Sequence, residues 1–378
     1  MNQIAPKLDL FDDVYPPEPP TEGIKYAGSK KKLLPQILWL AGKTGAKAVL
    51  DGFAGSTRVS QAFAQSGYHV TCNDKAIWSE VLGNCYLKSK PADAYRSLIA
   101  HLNDCKPVDG WFTAHYGGPA RSDDENTPVK MPWQFHNTRK LDGIREEIDR
   151  LGLEADEKAV ALTSLMLALD RVDSTLGHFS SYLREWSPRS FNTMHLKVPK
   201  ILQSRGDHKV VRGDVFRAAS TTDAELAYFD PPYGSNNEKM PPSRVRYSAY
   251  YHVWTTICLN DKPKLFGKVN RRVDTRDNAD PCVFEEYRKN SDGRFIAVES
   301  VHKLIREASS RHIILSYSSG GRATAAELHE VISETGKLRE VIEVDHRKNV
   351  MSTMAWTNEW LRDAQEPNRE FLFLVDKY

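Results

Sequence analysis

The sequence predicts a doubly wound α/β fold. Short apolar, mostly β-branched segments alternate with helical patterns, and polar motifs sit at the ends of several of those segments. Residues 48–51, 69–73, 209–211, 226–229, 312–316, 340–344 and 370–375 read as strands. Helical spacing of apolar residues precedes three of them, over 33–40, 56–65 and 323–334. In such a sheet, ligands gather at the carboxyl ends of the strands near the switch point.

The alternation is interrupted twice. Residues 75–208 are too many for a loop inside a compact domain and must carry structure of their own. Leu141, Ile144, Ile148 and Leu151 recur at helical spacing there, and residues 159–169 predict a buried apolar helix. The second interruption, from Ser235 to about Asp292, is polar and rich in Arg and Tyr, and predicts a long functional loop with little regular structure.

Composition narrows the class. The chain has 378 residues, more than one small domain needs, with 40% hydrophobic and 27% charged residues. No apolar run reaches bilayer length. Residues 1–22 are rich in proline and acid (Asp9, Asp12, Asp13, Pro16, Pro17, Pro19, Pro20), which predicts a disordered lead-in, no signal peptide and a cytoplasmic location. Cysteines at 72, 85, 105, 258 and 282 form no C-x-x-C pair and no cluster with histidines, so reduced thiols and no metal are expected. A formal net charge of +2 neither announces nor excludes a nucleic-acid surface.

The sharpest motif closes the fourth predicted strand: Leu226, Ala227, Tyr228 and Phe229 run into Asp230, Pro231, Pro232, Tyr233 and Gly234. The lone pair of an aromatic amine is delocalised into its ring, so the amine is a poor nucleophile. The Asp230 carboxylate and a proline carbonyl, accepting its N–H bonds, would return electron density to nitrogen. Pro231 and Pro232 stiffen the turn, and Tyr233 offers a flat face for an extruded base. A bare Asp-Pro-Pro also serves simply to end a strand; the tetrad after a strand in an alternating chain favours the chemical reading.

The first strand runs into a glycine-bearing turn, Asp51, Gly52, Phe53, Ala54, Gly55, Ser56, of the kind that lets backbone approach a nucleoside. The spacing is not G-x-G-x-x-G, and packing alone also selects such turns. The second strand ends in Asn73 and Asp74, where an acid suits ribose hydroxyls, and the third in Asp214 and Val215, suited to an adenine ring. Lys25, Tyr26, Ala27, Gly28, Ser29 and Lys30 precede the first helix. With Gly23 they almost spell a P-loop, but the Gly-Ser-Lys order and the missing preceding strand reject it.

In motif order these pieces resemble the Dam-type, alpha-group DNA adenine-N6 methyltransferases. Lys25 to Lys30 is similar to the family's amino-terminal motif, Asp51 to Ser56 to its cofactor loop, Asp74 to its ribose acid, and the tetrad to its catalytic D-P-P-Y. The resemblance extends to Trp111–Phe112–Thr113 and to Phe135, His136, Asn137 and the stretch Lys140 to Arg145. It implies a seven-stranded, Rossmann-like methyltransferase sheet with S-adenosylmethionine as donor, and Tyr26, Lys30, residues 51–56, Asp74, Asp214 and Val215 around it. Adenine flipped from double-stranded DNA would be the acceptor. The resemblance further implies a catalytic domain over 23–74 and 209–378, with an inserted, mainly helical target recognition domain over 75–208. Tyr26 for the frequent Trp, Ser29 for Gly and Asp51–Gly52 for Glu-Pro depart from the commonest pattern. Lys25, Arg171, Arg184, Arg189, Asn192, Arg244 and Arg246 are the expected DNA contacts, each also compatible with an ordinary solvated surface. A restriction-modification setting, with a cognate endonuclease as functional partner, fits this family. A methyltransferase of another planar nitrogen, in RNA adenine or protein glutamine, and a catalytically idle DNA-binding protein are the alternatives.

Overall fold

Along each central strand, side chains alternate between two apolar layers, because both faces of the sheet are covered. Val49, Leu226, Tyr228, Ile314, Leu372 and Leu374 pack on one face with the helices that follow the amino-terminal segment. Leu50, Ala227, Phe229, Ile313, Leu315, Phe373 and Val375 pack on the other with the carboxyl-terminal helices. The computed structural model describes residues 15–120, 130–202, 206–234, 246–276, 279, 282–345 and 369–378.

The strands of the main sheet are β1 (Ala48–Asp51), β2 (His69–Asp74), β3 (Lys209–Arg212), β4 (Leu226–Phe229), β5 (His312–Ser318), β6 (Gly336–Asp345) and β7 (Arg369–Lys377). Their order is β6-β7-β5-β4-β1-β2-β3. All pairings are parallel except those of β7, which runs antiparallel to both β5 and β6. The expected seven strands are all present, with β6 and β7 longer at both ends than the sequence suggested.

Helices α1 (Leu34–Gly42) and α2 (Arg58–Gln65) cover the first face. The first interruption, between β2 and β3, brings α3 (Ile77–Lys88), α4 (Arg96–Asn103), α5 (Trp111–Tyr116), α6 (Phe135–Arg150) and α7 (Ala155–Arg171). Of these, α3 packs on β2 and β3 as well as on α7. Beyond β3 come α8 (Val215–Thr221), α9 (Tyr247–Tyr250), α10 (His252–Leu259), α11 (Ile296–Glu307) and α12 (Ala325–Thr335).

The stretch after Gly234 is more ordered than its composition suggested. Residues 235–245, Arg244 among them, lie outside the described residues. From Tyr247 onward, however, Tyr250, Val253, Trp254 and Ile257 fall at i, i+3, i+4 and i+7, and α9 and α10 bury that stripe in one core with α3–α7. Half of the stripe is Tyr and Trp in polar surroundings, which disguises an amphipathic helix as a loop. Residues 15–22, expected to be an unstructured lead-in, lie along α1 and α2: Tyr15 packs edge-on to Trp39, and the Glu22 amide donates to Gln61 at 3.0 Å.

Candidate active site

The turn after β1 is fixed from below by the neighbouring strands. The Gly52 amide donates to the Tyr228 carbonyl at 2.9 Å, the Ala54 amide to the Asn73 carbonyl at 2.9 Å, and Asn73 Nδ2 to the Gly52 carbonyl at 3.0 Å. A Cβ at Gly52 would sit 2.7 Å from the Phe229 ring, and Gly55 holds φ +47° with the Tyr26 ring 3.0 Å from where its Cβ would be. Thr57, a β-branched residue, is held at φ 63°, a conformation that only a constrained loop imposes. Ala54 and Ser56 are buried within the turn, and Phe53 lies edge-on to Phe284 at 5.2 Å.

Two acids face this turn. Asp51 is fully buried: Ser60 Oγ donates to its Oδ2 at 2.6 Å, while Oδ1 has no hydrogen-bond partner among the described residues. Burial pushes its carboxyl up to about 7. Asp74 accepts the Gly55 amide on Oδ2 and the Ala76 amide on Oδ1, both at 2.8 Å; burial raises its pKa and these bonds oppose the rise.

Tyr26 closes one side. Its ring stacks on Tyr251 at 4.9 Å, near Tyr247 and Trp78. The segment is clamped to α9 and α10, since the Ala27 amide donates to Tyr251 Oη at 2.6 Å and Tyr247 Oη donates to the Ala27 carbonyl at 3.2 Å. Tyr247, Tyr251 and Trp78 were not expected at this site from the sequence.

At the end of β4, Lys30 and the tetrad meet. Lys30 Nζ lies 3.0 Å from Asp230 Oδ1 and 3.3 Å from Glu370 Oε1, with the side chain 5% exposed. Tyr233 Oη contacts Asp230 Oδ1 and lies 2.6 Å from Glu370 Oε1, which also accepts from Ser316 Oγ at 2.7 Å. The Tyr233 ring is thus held inward, tilted against Tyr317 at 4.8 Å with Lys30 Nζ 4.9 Å from its centroid. Burial and the nearby Glu370 charge lift the Asp230 carboxyl to about 6 against the pull of Lys30. These contacts fall on Oδ1; among the described residues none is found on Oδ2. Pro231 is buried and Pro232 half-buried beside it.

Other expected site residues are placed differently. Val215 packs against Gly52, but Asp214 is exposed and caps α8, its Oδ1 accepting the Phe216 amide at 2.9 Å and the Arg217 amide at 3.3 Å. That capping role comes from its position one residue before the helix. Lys25 and Arg189, expected at DNA, both reach the buried Asp173: Lys25 through Nζ, and Arg189 through Nε at 2.9 Å. Arg171 is half-exposed 3.8 Å from Glu22. Arg246 is half-buried close to the charge of Glu285. Arg184 and Asn192 have exposed side chains.

Among the described residues, no group of three or more His, Cys, Asp or Glu is arranged to hold a metal, and all five cysteines are free. No helix there is long and apolar enough to cross a membrane.

A strand order that reverses between β1 and β4, a glycine-bearing loop on β1 and a D-P-P-Y turn on β4 define a methyltransferase-like α/β site. The family model described as D12 class N6 adenine-specific DNA methyltransferase matches residues 26–291, and the chain belongs to that family. Among curated relatives, it is 26% identical over 82% of its length to "Modification methylase StsI" of Streptococcus sanguinis, covering 46% of that protein. It is 25% identical to "Type II methyltransferase M.NlaIII" of Neisseria lactamica and 27% identical to "Type II methyltransferase M.CviAII" of Paramecium bursaria Chlorella virus 1. Each of these two alignments covers 86% of this chain and 92% of the relative. The chain therefore spans about half the length of some relatives, such as the streptococcal one, and nearly all of others.

Proposed function

We propose that the protein transfers a methyl group from S-adenosylmethionine to N6 of an adenine flipped out of double-stranded DNA, as the modification partner of a restriction endonuclease. The observation that carries the reading is Asp230, held by Lys30 and Tyr233 at the end of β4 with one carboxylate oxygen left for an amine. The D12 family match and relatives named as modification methylases support the substrate class and the setting.

The donor fits the first part of the site. Asp51 Oδ1, buried and unpartnered, suits a cationic amino group, and Asp74 suits ribose hydroxyls between Tyr26 and the 51–56 turn. Phe53 and Val215 supply apolar walls for a nucleobase. When bound, S-adenosylmethionine supplies an electrophilic methyl on its sulfonium, so the protein needs no covalent intermediate.

Asp230 Oδ2 and the Pro231 carbonyl accept the two N–H bonds of the adenine amino group, turning its lone pair toward the donor. As the N–C bond forms and the S–C bond breaks, N6 becomes cationic and loses one proton to Asp230. With a pKa near 6, that carboxylate is ionised at neutral pH and able to receive it. Tyr233 contributes its ring edge and fixes the carboxylate, while its stacking surface is reduced by Tyr317. We assign target reading to the helical insertion within 75–208, where Arg184 and Asn192 are exposed on the stretch after α7.

The test is expression in a methyl-free host followed by base-resolution detection of N6-methyladenine. The wild-type chain should mark adenine in one DNA word, and Asp230→Ala should lower transfer by about a hundredfold or more with cofactor binding retained. Methylation of another base, or near wild-type transfer by Asp230→Ala, refutes the assignment.

A further inference from the structure

A buried acid outside every recognisable motif converges on the tetrad. Glu370 is the second residue of β7, 3% exposed, and in phase with Leu372 and Leu374, which face the α1–α2 layer. Because β7 runs antiparallel to β5, its start lies at the carboxyl end of the sheet, beside Ser316 and the turn after β4. From there Oε1 takes contacts from Ser316 Oγ at 2.7 Å, Tyr233 Oη at 2.6 Å and Lys30 Nζ at 3.3 Å.

The Tyr233 hydroxyl has a single hydrogen and two carboxyl neighbours, so it links Asp230 to Glu370, while Ser316 Oγ donates to Glu370 from the other side. Lys30 Nζ spans the same two acids, so the buried pair shares one ammonium.

We infer that Glu370 is a positioning residue for methyl transfer: through Tyr233 Oη and Lys30 Nζ it orients Asp230 and sets the pH at which Asp230 can take up the amine proton. This rests on the proposed adenine-N6 transfer. The charge of Glu370 disfavours ionised Asp230, whereas the Tyr233 hydroxyl favours it, so removing each should move the site in opposite directions. The other titratable groups facing Asp230 are Lys30 from the amino-terminal segment, Asp51 on β1, Tyr228 on β4, and Tyr26 and Tyr247 across the site.

The experiment compares wild type, E370Q, E370D and Y233F in single-turnover transfer to unmethylated plasmid DNA from pH 5 to 9. Melting of the cofactor-free proteins over pH 4.5 to 6.5 is the second readout. E370Q keeps the acceptor oxygen and loses the charge. Its acid limb should move to lower pH by about one unit, while that of Y233F moves up and that of E370D stays near wild type. Because the folded pKa of Asp230 lies above its ordinary 3.8, folding takes up protons and stability from this group falls as pH rises toward 6. That fall should be shallower in E370Q. A folded E370Q with both the acid limb and the melting slope of wild type overturns the inference. If E370Q does not fold, Y233F decides alone, and a limb that is unmoved or moves down overturns it. Wild-type protein that binds DNA and cofactor but transfers nothing refutes the proposed function instead, and the melting slope still decides the coupling of Glu370 to Asp230.

Discussion

Replacing Lys30 by Met should destabilise the protein by an amount that depends strongly on pH. The Lys30 side chain is 5% exposed, with its ammonium 3.0 Å from Asp230 and 3.3 Å from Glu370. At 3.0 Å and an effective dielectric of about 20, each contact is worth roughly 5 kcal/mol before desolvation. Removing one partner of such a buried set typically costs about 3–5 kcal/mol, because the remaining charge is stranded. The pKa of Lys30 is raised above its ordinary 10.5 by Asp230 and Glu370, against the cost of burial. Its stabilisation is therefore complete at pH 8; at high pH it is lost as the ammonium deprotonates through its raised pKa, and at low pH it weakens as its carboxylate partners are protonated. Without it, Asp230, already lifted to about 6, takes up a proton at still higher pH. At pH 5.5 much of this carboxyl is protonated even in the wild type, so the loss shrinks to about half or less. The melting temperature should fall by about 4–6 °C at pH 8 and by under half of that at pH 5.5. Differential scanning calorimetry at the two pH values is the assay. An equal loss at both would show that Lys30 acts through packing rather than charge.

Three further outcomes are expected. If the Asp51 carboxylate holds the cationic end of S-adenosylmethionine, its pKa near 7 means that cofactor affinity should rise about tenfold from pH 6 to pH 8. Asp51→Asn should flatten that profile; a wild-type profile already matching the variant's would remove Asp51 from the site. Gly28 holds φ +80°, and a Cβ there would come 2.8 Å from Tyr247 Oη. Gly28→Ala should accordingly cost about 1–3 kcal/mol and loosen the clamp on Tyr26, measured by melting and by cofactor titration. Arg184→Ala should weaken DNA binding and lower the slope of log affinity against log salt by about 1. Arg189→Ala should lower the melting temperature with that slope unchanged, since Arg189 is tied to Asp173; equal slopes for both variants would contradict the distinction.

The strands were readable because burial on both faces leaves them few residue types to use, and Asp51 and the tetrad because they end such strands. Residues 250–257 were not, since Tyr and Trp in polar surroundings serve equally for a loop and for a helix packed on other helices. The charge of Lys25 and Arg189 did not reveal that Asp173 would take both; an arginine at a DNA surface and one on a buried carboxylate look alike in sequence. Glu370 did leave a trace, being an acid in phase with the buried Leu372 and Leu374. What the sequence alone could not supply was its partner, 137 residues away at Tyr233.

The pairing of strands supplies it, and it also joins the two halves of the site. Asp51 is in register with Tyr228 across β1 and β4, so Asp230 emerges two residues beyond the point where the cofactor turn begins. The strand order reverses at that same pair, which opens the crevice between them. On the proposed reading, a donor held by Asp51 and an amine held by Asp230 would therefore be brought together by the sheet itself. On the far side, β5 and the antiparallel β7 carry Ser316 and Glu370 to the same edge. The inverted last strand thus closes the D-P-P-Y turn from behind: a parallel β7 would present its opposite end there, and Tyr233 would lose Glu370, the acid that ties it to Ser316.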